Sequence, residues 1–314
     1  MATNLVTGIA GGLAQRVSAQ LLEAGDEVVG VDYRPVPHFE GALAAVRLHR
    51  ASYDKTAIED VFRRYSFDRV LHLGRVGNLR EGATRRFDLN VVGSQKIMDL
   101  AVRHHAKRMV VLSTFHIYGA SNANHIPIAE DEPLRAGASF PEIADAIQLD
   151  NIATTWVWKH REVPVAVLRP TNVVGPRIKN TMSNVLRLRR IPHVAGFDPM
   201  TQFIHEDDLA DAVVLAARSD SPGIFNLAGP DCVPWCTAIE LVGARTIAVP
   251  GLLASALLRA IGSLPGYLVN FFRYPCVISD ARFRETFGWE PKVALRDALW
   301  STVAATRAAY ERER

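Results

Sequence analysis

The sequence predicts an α/β fold built on a doubly wound parallel sheet, and three observations support this prediction. Short segments rich in Val, Ile and Leu alternate with amphipathic segments over the first half of the chain. The first apolar segment ends in a glycine-rich turn that leads directly into a helical pattern, as in a βαβ unit. The chain has 314 residues, 48% of them hydrophobic, which is enough for a sizeable core in one large or two closely joined domains.

The predicted βαβ unit begins at Leu5 and carries the residues of a nucleotide site. Gly8 and Gly11 lack a Cβ, so backbone amides at the start of the helix can approach a pyrophosphate, and the helix dipole favours its negative charge. Ala14 is small enough for the helix to lie close to the sheet. Asp32 ends the second strand, at the spacing where a carboxylate meets an adenosine ribose. The spacing predicts a bound dinucleotide.

Two residues at the end of the second predicted strand bear on which dinucleotide is bound. The Asp32 carboxylate favours NAD, because it accepts a hydrogen bond from a ribose 2′-hydroxyl and repels a 2′-phosphate. Arg34 follows shortly after and can pair with a 2′-phosphate instead. NAD is therefore the expected cofactor, and NADP remains open.

The alternation of segments predicts a dinucleotide-binding domain over residues 1–170 and a smaller α/β lobe, mainly for substrate, over residues 171–314. Further strands are predicted at 45–48, 70–74, 109–112 and 165–168, and helices at 54–64, 88–104 and 141–159. Prolines and glycines become frequent after residue 169, which predicts loops, followed by helices at 209–217, near 241, at 253–261 and at 298–309. A strand near 224–228 is expected to return to the main sheet. The cleft between the two parts is the expected substrate site.

Charge and cysteine content exclude several classes of protein. The formal net charge is only +3, and the one dense basic group, at 187–190, is too short for a nucleic-acid surface. Cys232, Cys236 and Cys276 are odd in number and lack a nearby histidine at metal-ligand spacing, so neither a disulfide framework nor a zinc site is indicated. The N-terminus shows no secretory signal pattern, and a cytoplasmic location is expected.

The most apolar late segment, residues 249–272, is too interrupted to predict a transmembrane helix. It contains Arg259, Pro265, Gly266 and Asn270 and has no uninterrupted run of the length that a bilayer requires. This pattern predicts helices that cover a pocket, with contact to a membrane surface as the alternative.

Short motifs occur in a fixed order along nearly the whole chain. They are Thr7-Gly8-x-x-Gly11-x-x-Ala14, Asp32, His72-Leu73-Gly74, Asn90-Val91-x-Gly93-Ser94, Leu112-Ser113-Thr114 with Ile117-Tyr118-Gly119, Leu168-Arg169-Pro170 with Gly175-Pro176, and Phe203-Ile204-His205-x-x-Asp208-Leu209-Ala210. With these motifs the sequence resembles the extended short-chain dehydrogenase/reductases, the superfamily of nucleotide-sugar epimerases and dehydratases. The resemblance implies a Rossmann domain that binds NAD or NADP and a C-terminal lobe that selects the substrate.

The glycine-rich turn and this resemblance together imply a set of cofactor contacts. They are Gly8, Ala10, Gly11, Gly12, Ala14, Asp32, Tyr33, Arg34, Leu73, Gly74, Asn90, Leu112, Ser113, Arg169 and Pro170. His72, inside a predicted buried strand, is expected to be a core residue rather than a ligand, and His205 is expected to be structural.

On the substrate side, the resemblance implies contacts from Asn172 and Arg177, which match positions from which family members approach a phosphate or sugar. Arg187 is expected to supply charge for a diphosphate. The substrate is expected to be a nucleotide-sugar, or a hydrophobic alcohol under the apolar segment. Many relatives dimerise through the helices that correspond to 88–104 and 141–159, which implies a homodimer.

The catalytic residues of the family are only partly present. Family chemistry is hydride transfer at a hydroxyl-bearing carbon, with a tyrosine as acid/base, a lysine that lowers its pKa, and a serine or threonine that holds the reacting oxygen. Thr114 matches the last position. No Tyr-x-x-x-Lys occurs anywhere in the chain, and counting back from Arg169 puts Ile143 and Ile147 at those positions. Neither isoleucine can transfer a proton or carry charge.

Two hypotheses follow from this difference. In the first, the protein is an enzyme that uses Thr114 with a different acid/base, for which His116, Glu142 and Asp145 are the candidates. In the second, it is a non-catalytic scaffold or redox sensor that binds the nucleotide without turnover.

Overall fold

The computed structural model describes residues 1–36, 38–77, 81–251 and 268–312. Its strands are β1 (Thr3–Thr7), β2 (Glu27–Asp32), β3 (Arg47–Arg50), β4 (Arg69–His72), β5 (Arg108–Leu112), β6 (Val165–Pro170), β7 (Asn172–Val174), β8 (Arg190–Val194), β9 (Met200–His205), β10 (Gly223–Leu227), β11 (Cys232–Pro234) and β12 (Arg245–Val249). Seven of them form one parallel sheet in the order β10-β6-β5-β4-β1-β2-β3. The predicted doubly wound α/β fold is thus confirmed.

The helices lie between the strands and after the last one. They are α1 (Gly12–Glu23), α2 (Ala57–Arg64), α3 (Ala83–Phe87), α4 (Gly93–Arg103), α5 (Ala136–Ser139), α6 (Ala144–Lys159), α7 (Thr181–Leu186), α8 (Glu206–Arg218), α9 (Trp235–Leu241), α10 (Leu268–Phe271), α11 (Ala281–Phe287) and α12 (Leu295–Arg312). A π-helical turn, Asp88–Val92, joins α3 to α4. In the part of the chain that the structure describes, no helix is both long and apolar enough to cross a membrane.

Both faces of the main sheet are covered by helices, which is why its strands are almost continuously apolar. One face packs against α1 and α8, and buried Val17 and Leu209 lie in that interface. These two helices are also joined at the surface, where Arg16 Nε lies 2.5 Å from Asp207 Oδ1. The other face packs against α2, α4 and α6. Ligands of such sheets bind outside the carboxyl ends of the strands, so this edge is where the site is expected.

The C-terminal part of the chain differs from its predicted organisation just after residue 169. Loops are predicted just after residue 169, but the structure has β7, β8 and β9 there. They belong to two small sheets, of order β11-β9-β7 and β12-β8. These strands are short and partly polar, so their own residue pattern does not predict them. They form because they pair with other strands. The strand predicted near 224–228 is β10, which pairs in parallel with β6 as expected, whereas the helix predicted at 253–261 lies outside the described residues.

His72 joins three elements of the core. Its Nδ1 lies 2.8 Å from Thr7 Oγ1 in β1, and its Nε2 lies 2.8 Å from Ser94 Oγ in α4. Burial lowers the pKa of His72 to about 4, so the imidazole is neutral at physiological pH. The prediction that His72 is a core residue is confirmed.

We expect Leu209→Ala to destabilise the protein by about 2–5 kcal/mol, because Leu209 is 0% exposed between α8 and the sheet and its removal leaves a cavity. Urea unfolding measures the change. Leu48→Ala is the matched control: Leu48 is 38% exposed, so the same truncation should change the free energy of unfolding by less than about 0.5 kcal/mol. Equal losses in the two variants would contradict the packing described here.

The second prediction concerns the pH dependence of stability. Between pH 6.5 and about 4, unfolded His72 binds a proton that the folded imidazole does not bind. The free energy of unfolding is therefore highest above pH 6.5. It decreases as the pH falls through this window, by up to about 1.4 kcal/mol per pH unit. His72→Gln should flatten the urea-unfolding curve against pH in this window, and His38→Gln, at an exposed position, should not. Identical slopes for wild type and His72→Gln would contradict the prediction.

Candidate functional site

Two glycine turns meet at the carboxyl ends of the adjacent strands β1 and β4. Gly8 has φ +76°, and a Cβ built there would lie 2.6 Å from Gly74 Cα. The next glycine, Gly11, donates its amide to Gly8 O at 2.8 Å and forms the N-cap of α1. Since a glycine N-cap has no side chain, it leaves the first-turn amides of α1 available to an anion. These first-turn amides, beside the Gly8 turn, are the groups that could hold a diphosphate.

Tyr53 supports the first glycine turn, and the sequence did not reveal this role. Its hydroxyl accepts a hydrogen bond from the Gly8 amide at 2.8 Å, while the same amide also donates to Val31 O at 2.8 Å. Tyr53 is buried, and burial raises the pKa of its phenol above the usual value. The residue lies in the loop between β3 and α2, where the only available signal was an aromatic residue after a predicted strand.

Asp32 lies at the end of β2 and is held by Arg34, two residues later, and by Ala10 in the glycine-rich turn. Its Oδ2 accepts hydrogen bonds from the Ala10 amide and Arg34 Nη2, both at 3.0 Å. Its Oδ1 accepts from the Arg34 amide at 2.9 Å and from Arg34 Nε at 3.0 Å. The structure therefore brings Ala10, Asp32 and Arg34 together, and the carboxylate is buried beneath the guanidinium.

The other predicted cofactor contacts are distributed along the same edge of the sheet. They lie at the start of α1 or at the carboxyl end of a central strand: Gly12 and Ala14 in α1, Tyr33 after β2, Leu73 after β4, Leu112 at the end of β5, and Pro170 at the end of β6. Leu73 and Ala14 are buried. The edge is continuous because the strands are parallel neighbours.

Asn90 lies in a buried polar cluster with Asp145. Its Oδ1 accepts from the Val76 amide at 2.7 Å, and its Nδ2 donates to Asp145 Oδ2 at 2.6 Å. Arg86 Nη1 donates to the other oxygen of Asp145 at 3.3 Å and to Glu142 O at 2.9 Å. Both carboxylate oxygens of Asp145 are thus occupied inside the protein. The Glu142 side chain is partly exposed in the turn before α6.

Thr114 and His116 are in direct contact at the end of β5. The Thr114 hydroxyl lies 2.8 Å from His116 Nδ1. The imidazole packs against two aromatic rings, with centroid separations of 4.3 Å to Phe115 and 4.9 Å to Phe271. Burial lowers the pKa of His116 to about 3, so it is neutral at physiological pH.

Ile143 and Ile147 lie in the same apolar cluster. They are 5% and 9% exposed and pack with Phe115, Phe140 and Ile128. The segment that precedes them adopts a short 3₁₀ turn, and α6 begins at residue 144 rather than 141. The side chains at these two positions therefore contribute to a hydrophobic core and bring no charge to the site.

Ser113 and Arg169, both predicted cofactor contacts, have their side chains in a buried network. Ser113 Oγ donates to Asp150 Oδ1 at 2.5 Å, and Arg169 Nη2 lies 2.6 Å from Asp150 Oδ2. Arg169 Nη1 also donates to Tyr118 OH at 2.8 Å and to Glu130 O at 3.0 Å. These bonds join β5, β6 and α6, so the side chains act in positioning the strand ends.

The structure separates the predicted substrate contacts. Asn172 Nδ2 donates to Gln202 O at 3.0 Å, and both residues line a small cavity of about 20 Å³ with Phe115, His116 and Phe271. Gln202, which the sequence did not single out, also bonds the backbone of Ile278 through both ends of its amide.

Arg187 and Arg177 lie outside the lining of this cavity. The Arg187 guanidinium donates to the backbone carbonyls of Thr302 and Ile178 at 3.1 and 3.0 Å. Its donors therefore serve the scaffold of the lobe rather than a diphosphate. Arg177 instead abuts the glycine turn: a Cβ at Gly12 would lie 2.6 Å from Arg177 O.

His205 accepts the Asp207 amide at 3.2 Å as the N-cap of α8, and its Nε2 lies 3.3 Å from Ser301 Oγ in α12, which agrees with a structural role. Within the described residues, no three His, Cys, Asp or Glu side chains are grouped so that they could hold a metal ion.

The chain is similar in sequence to a known protein family and to individual proteins. Residues 4–228 match the NAD dependent epimerase/dehydratase family. An uncharacterized protein of Mycobacterium tuberculosis is 27% identical, with 96% of this chain and 81% of that protein covered. A UDP-glucuronate 4-epimerase of Thermodesulfobacterium geofontis is 24% identical, with 95% and 94% covered.

Solved structures share the fold. The structure of Pal from Bacillus thuringiensis superposes with a TM-score of 0.81 at 20% identity, covering 98% of this chain and 99% of that one. The UDP-glucose 4-epimerase of Thermus thermophilus, in complex with NAD, gives 0.77 at 21% identity, covering 98% and 99%. The family match spans more than half of the chain and includes the glycine turns and Asp32. The chain therefore belongs to the NAD dependent epimerase/dehydratase family.

Proposed function

We propose that this protein binds a nicotinamide dinucleotide and does not turn it over by the tyrosine-dependent chemistry of its relatives. The observation that carries the proposal is the pair Ile143 and Ile147, buried among apolar side chains where the proton-transfer residues are expected. Gly8, Gly11 and the amides of α1 would hold the diphosphate, and Asp32 would lie beside the adenosine ribose. When bound, a nicotinamide supplies a hydride donor or acceptor.

The alternative acid/base candidates support the same proposal. A neutral imidazole whose pKa is lowered to about 3 is a weak base at pH 7, and His116 Nδ1 is already bonded to Thr114. Asp145 has both oxygens hydrogen-bonded to Asn90 and Arg86. The neighbouring cavity of about 20 Å³ holds about one water molecule, whereas ligand pockets usually measure about 300–1,000 Å³. In this proposal, the nucleotide acts as a structural ligand or as the signal that the protein senses.

The second candidate function is an oxidoreductase or epimerase with an altered acid/base. The 2.8 Å contact between Thr114 Oγ1 and His116 Nδ1 favours it, since it joins a hydroxyl at the oxygen-holding position to a titratable group. The named relatives act on UDP-glucuronate or UDP-glucose, which favours a nucleotide-sugar as substrate. A hydrophobic alcohol is the other substrate class, because aromatic side chains line the cavity.

The binding proposal is tested by calorimetry with NAD⁺, NADH, NADP⁺ and NADPH, and we expect saturable heat with at least one of them. Gly8→Ala should weaken binding at least 100-fold, because its Cβ would clash with Gly74 at a strained φ. Gly25→Ala is the matched control: its φ is +80°, and no described atom lies within 4 Å of the added Cβ. It should cost stability but leave affinity unchanged. Absence of heat with all four nucleotides would overturn the proposal.

The catalytic question is tested with the double variant Ile143→Tyr/Ile147→Lys. We expect the natural protein to show no change in nicotinamide absorbance and no epimerised product with UDP-glucose, UDP-glucuronate, dTDP-glucose or hydrophobic secondary alcohols. Turnover should arise only in the double variant, since it restores a phenol and a neighbouring cation. Ile143→Phe/Ile147→Leu controls for side-chain bulk. Turnover by the natural protein that Thr114→Val abolishes would establish the second candidate function instead.

A further inference from the structure

The Asp32 carboxylate has all of its acceptor positions filled. Each carboxylate oxygen has two lone pairs, so the group accepts about four hydrogen bonds. Oδ1 accepts from the Arg34 amide and Nε, and Oδ2 accepts from the Ala10 amide and Arg34 Nη2, at 2.9–3.0 Å. Asp32 is 0% exposed. A ribose 2′-hydroxyl therefore finds no open acceptor on Asp32 while Arg34 stays in place.

The surroundings of Asp32 are strongly basic. The Arg34 side chain is 48% exposed, so its guanidinium contacts both the carboxylate and solvent. Arg50 is the register partner of Asp32 on β3, and its Nε donates to Tyr33 O at 3.4 Å. The guanidinium carbons of Arg34 and Arg85 lie 5.5 and 5.4 Å from the Tyr33 ring centroid. One guanidinium thus pairs with the Asp32 carboxylate, and two more lie against the next residue, Tyr33.

Acidic groups compensate only part of this charge. Glu81 Oε2 lies 3.7 Å from Arg85 Nε, and both side chains are exposed, so the interaction energy of this ion pair is small. The Arg34–Asp32 pair, by contrast, is bidentate and half-buried. A guanidinium in this setting presents its remaining N–H donors to a phosphate, whose planar oxygen pairs it matches well.

We propose that the site selects a dinucleotide whose adenosine ribose carries a 2′-phosphate, NADP or NADPH, and that Arg34 is the specificity-determining residue. The inference rests on the proposed function, since both concern the same nucleotide. NADP binds while the Arg34–Asp32 pair remains intact, and Arg50 and Arg85 add to the local positive potential. NAD offers only neutral groups to the guanidinium, and its ribose hydroxyl can donate to Asp32 only if this pair breaks. This preferred dinucleotide differs from the NAD in the structure of the Thermus thermophilus epimerase.

The test measures dissociation constants for NADP⁺, NAD⁺, adenosine 2′,5′-bisphosphate and adenosine 5′-monophosphate by calorimetry. The natural protein should bind each 2′-phosphorylated compound at least 10-fold more tightly than its unphosphorylated counterpart, and the difference should shrink as salt is added. In Arg34→Ala, the exposed Asp32 carboxylate repels the phosphate and accepts a ribose hydroxyl. NADP⁺ should therefore bind at least 10-fold more weakly, and NAD⁺ more tightly, than in the natural protein.

Arg47→Ala is the matched control. Arg47 is about as exposed as Arg34 and lies on β3, at the end of the strand opposite Arg50. It is the register partner of Val29, and its Nη2 donates to Glu27 Oε1 at 3.1 Å. The ratio of the two affinities should not change in this variant. Tighter binding of NAD⁺ by the natural protein, or a ratio that Arg34→Ala does not alter, would overturn the inference and leave the proposed function standing. Failure of every nucleotide to bind would overturn both.

Discussion

The close approach of two backbone turns, at Gly8 and Gly74, is the constraint on which the rest of the site depends. The turns belong to neighbouring strands, and any side chain at either position would push β1 and β4 apart. Buried groups below maintain the contact: Tyr53 bonds the Gly8 amide, and Thr7 Oγ1 accepts the Gly74 amide at 3.1 Å. Because these polar groups are buried and satisfied, the turn is rigid before any ligand arrives.

The two ends of the site have opposite physical character. At one end, buried Asp32 is paired with Arg34, and Arg85 lies against the neighbouring Tyr33, so the region is polar. At the other end, Ile143 and Ile147 pack with aromatic rings around a neutral imidazole. The polar end lies at the carboxyl ends of β1 and β2, and the hydrophobic end lies between β5 and α6.

Buried ion pairs in this protein specify geometry more than they add stability. The Arg169–Asp150 pair, at 2.6 Å, is fully enclosed and extends through Tyr118 to Asn226 on β10. Breaking such a pair leaves an uncompensated charge, although an apolar replacement of both partners is often neutral. The network therefore fixes β5, β6 and β10 relative to α6. In the same way, Arg187 binds backbone carbonyls and holds α7 against α12.

The parallel sheet, the glycine turns and the position of Asp32 could be predicted from the amino-acid sequence, because each follows from local rules. Strand and helix periodicity is written in consecutive residues, and only glycine tolerates the φ of +76° at Gly8. The resemblance likewise indicated that the Tyr-x-x-x-Lys pair is replaced. The small sheets of the C-terminal lobe were not predictable, since their short strands depend on pairing with distant partners.

The hydrogen-bond partners of most predicted polar residues could be identified only in the folded protein. Ser113, Asp145, Arg169 and Arg187 are polar residues near the expected site, but their donors and acceptors are bonded to groups far away in the chain. Arg34 is close to Asp32 in sequence, yet only the folded geometry shows that its amide and guanidinium fill three of the carboxylate's acceptor positions. A sequence records which groups a residue carries. Which partners satisfy those groups is determined by burial and by contacts between distant segments.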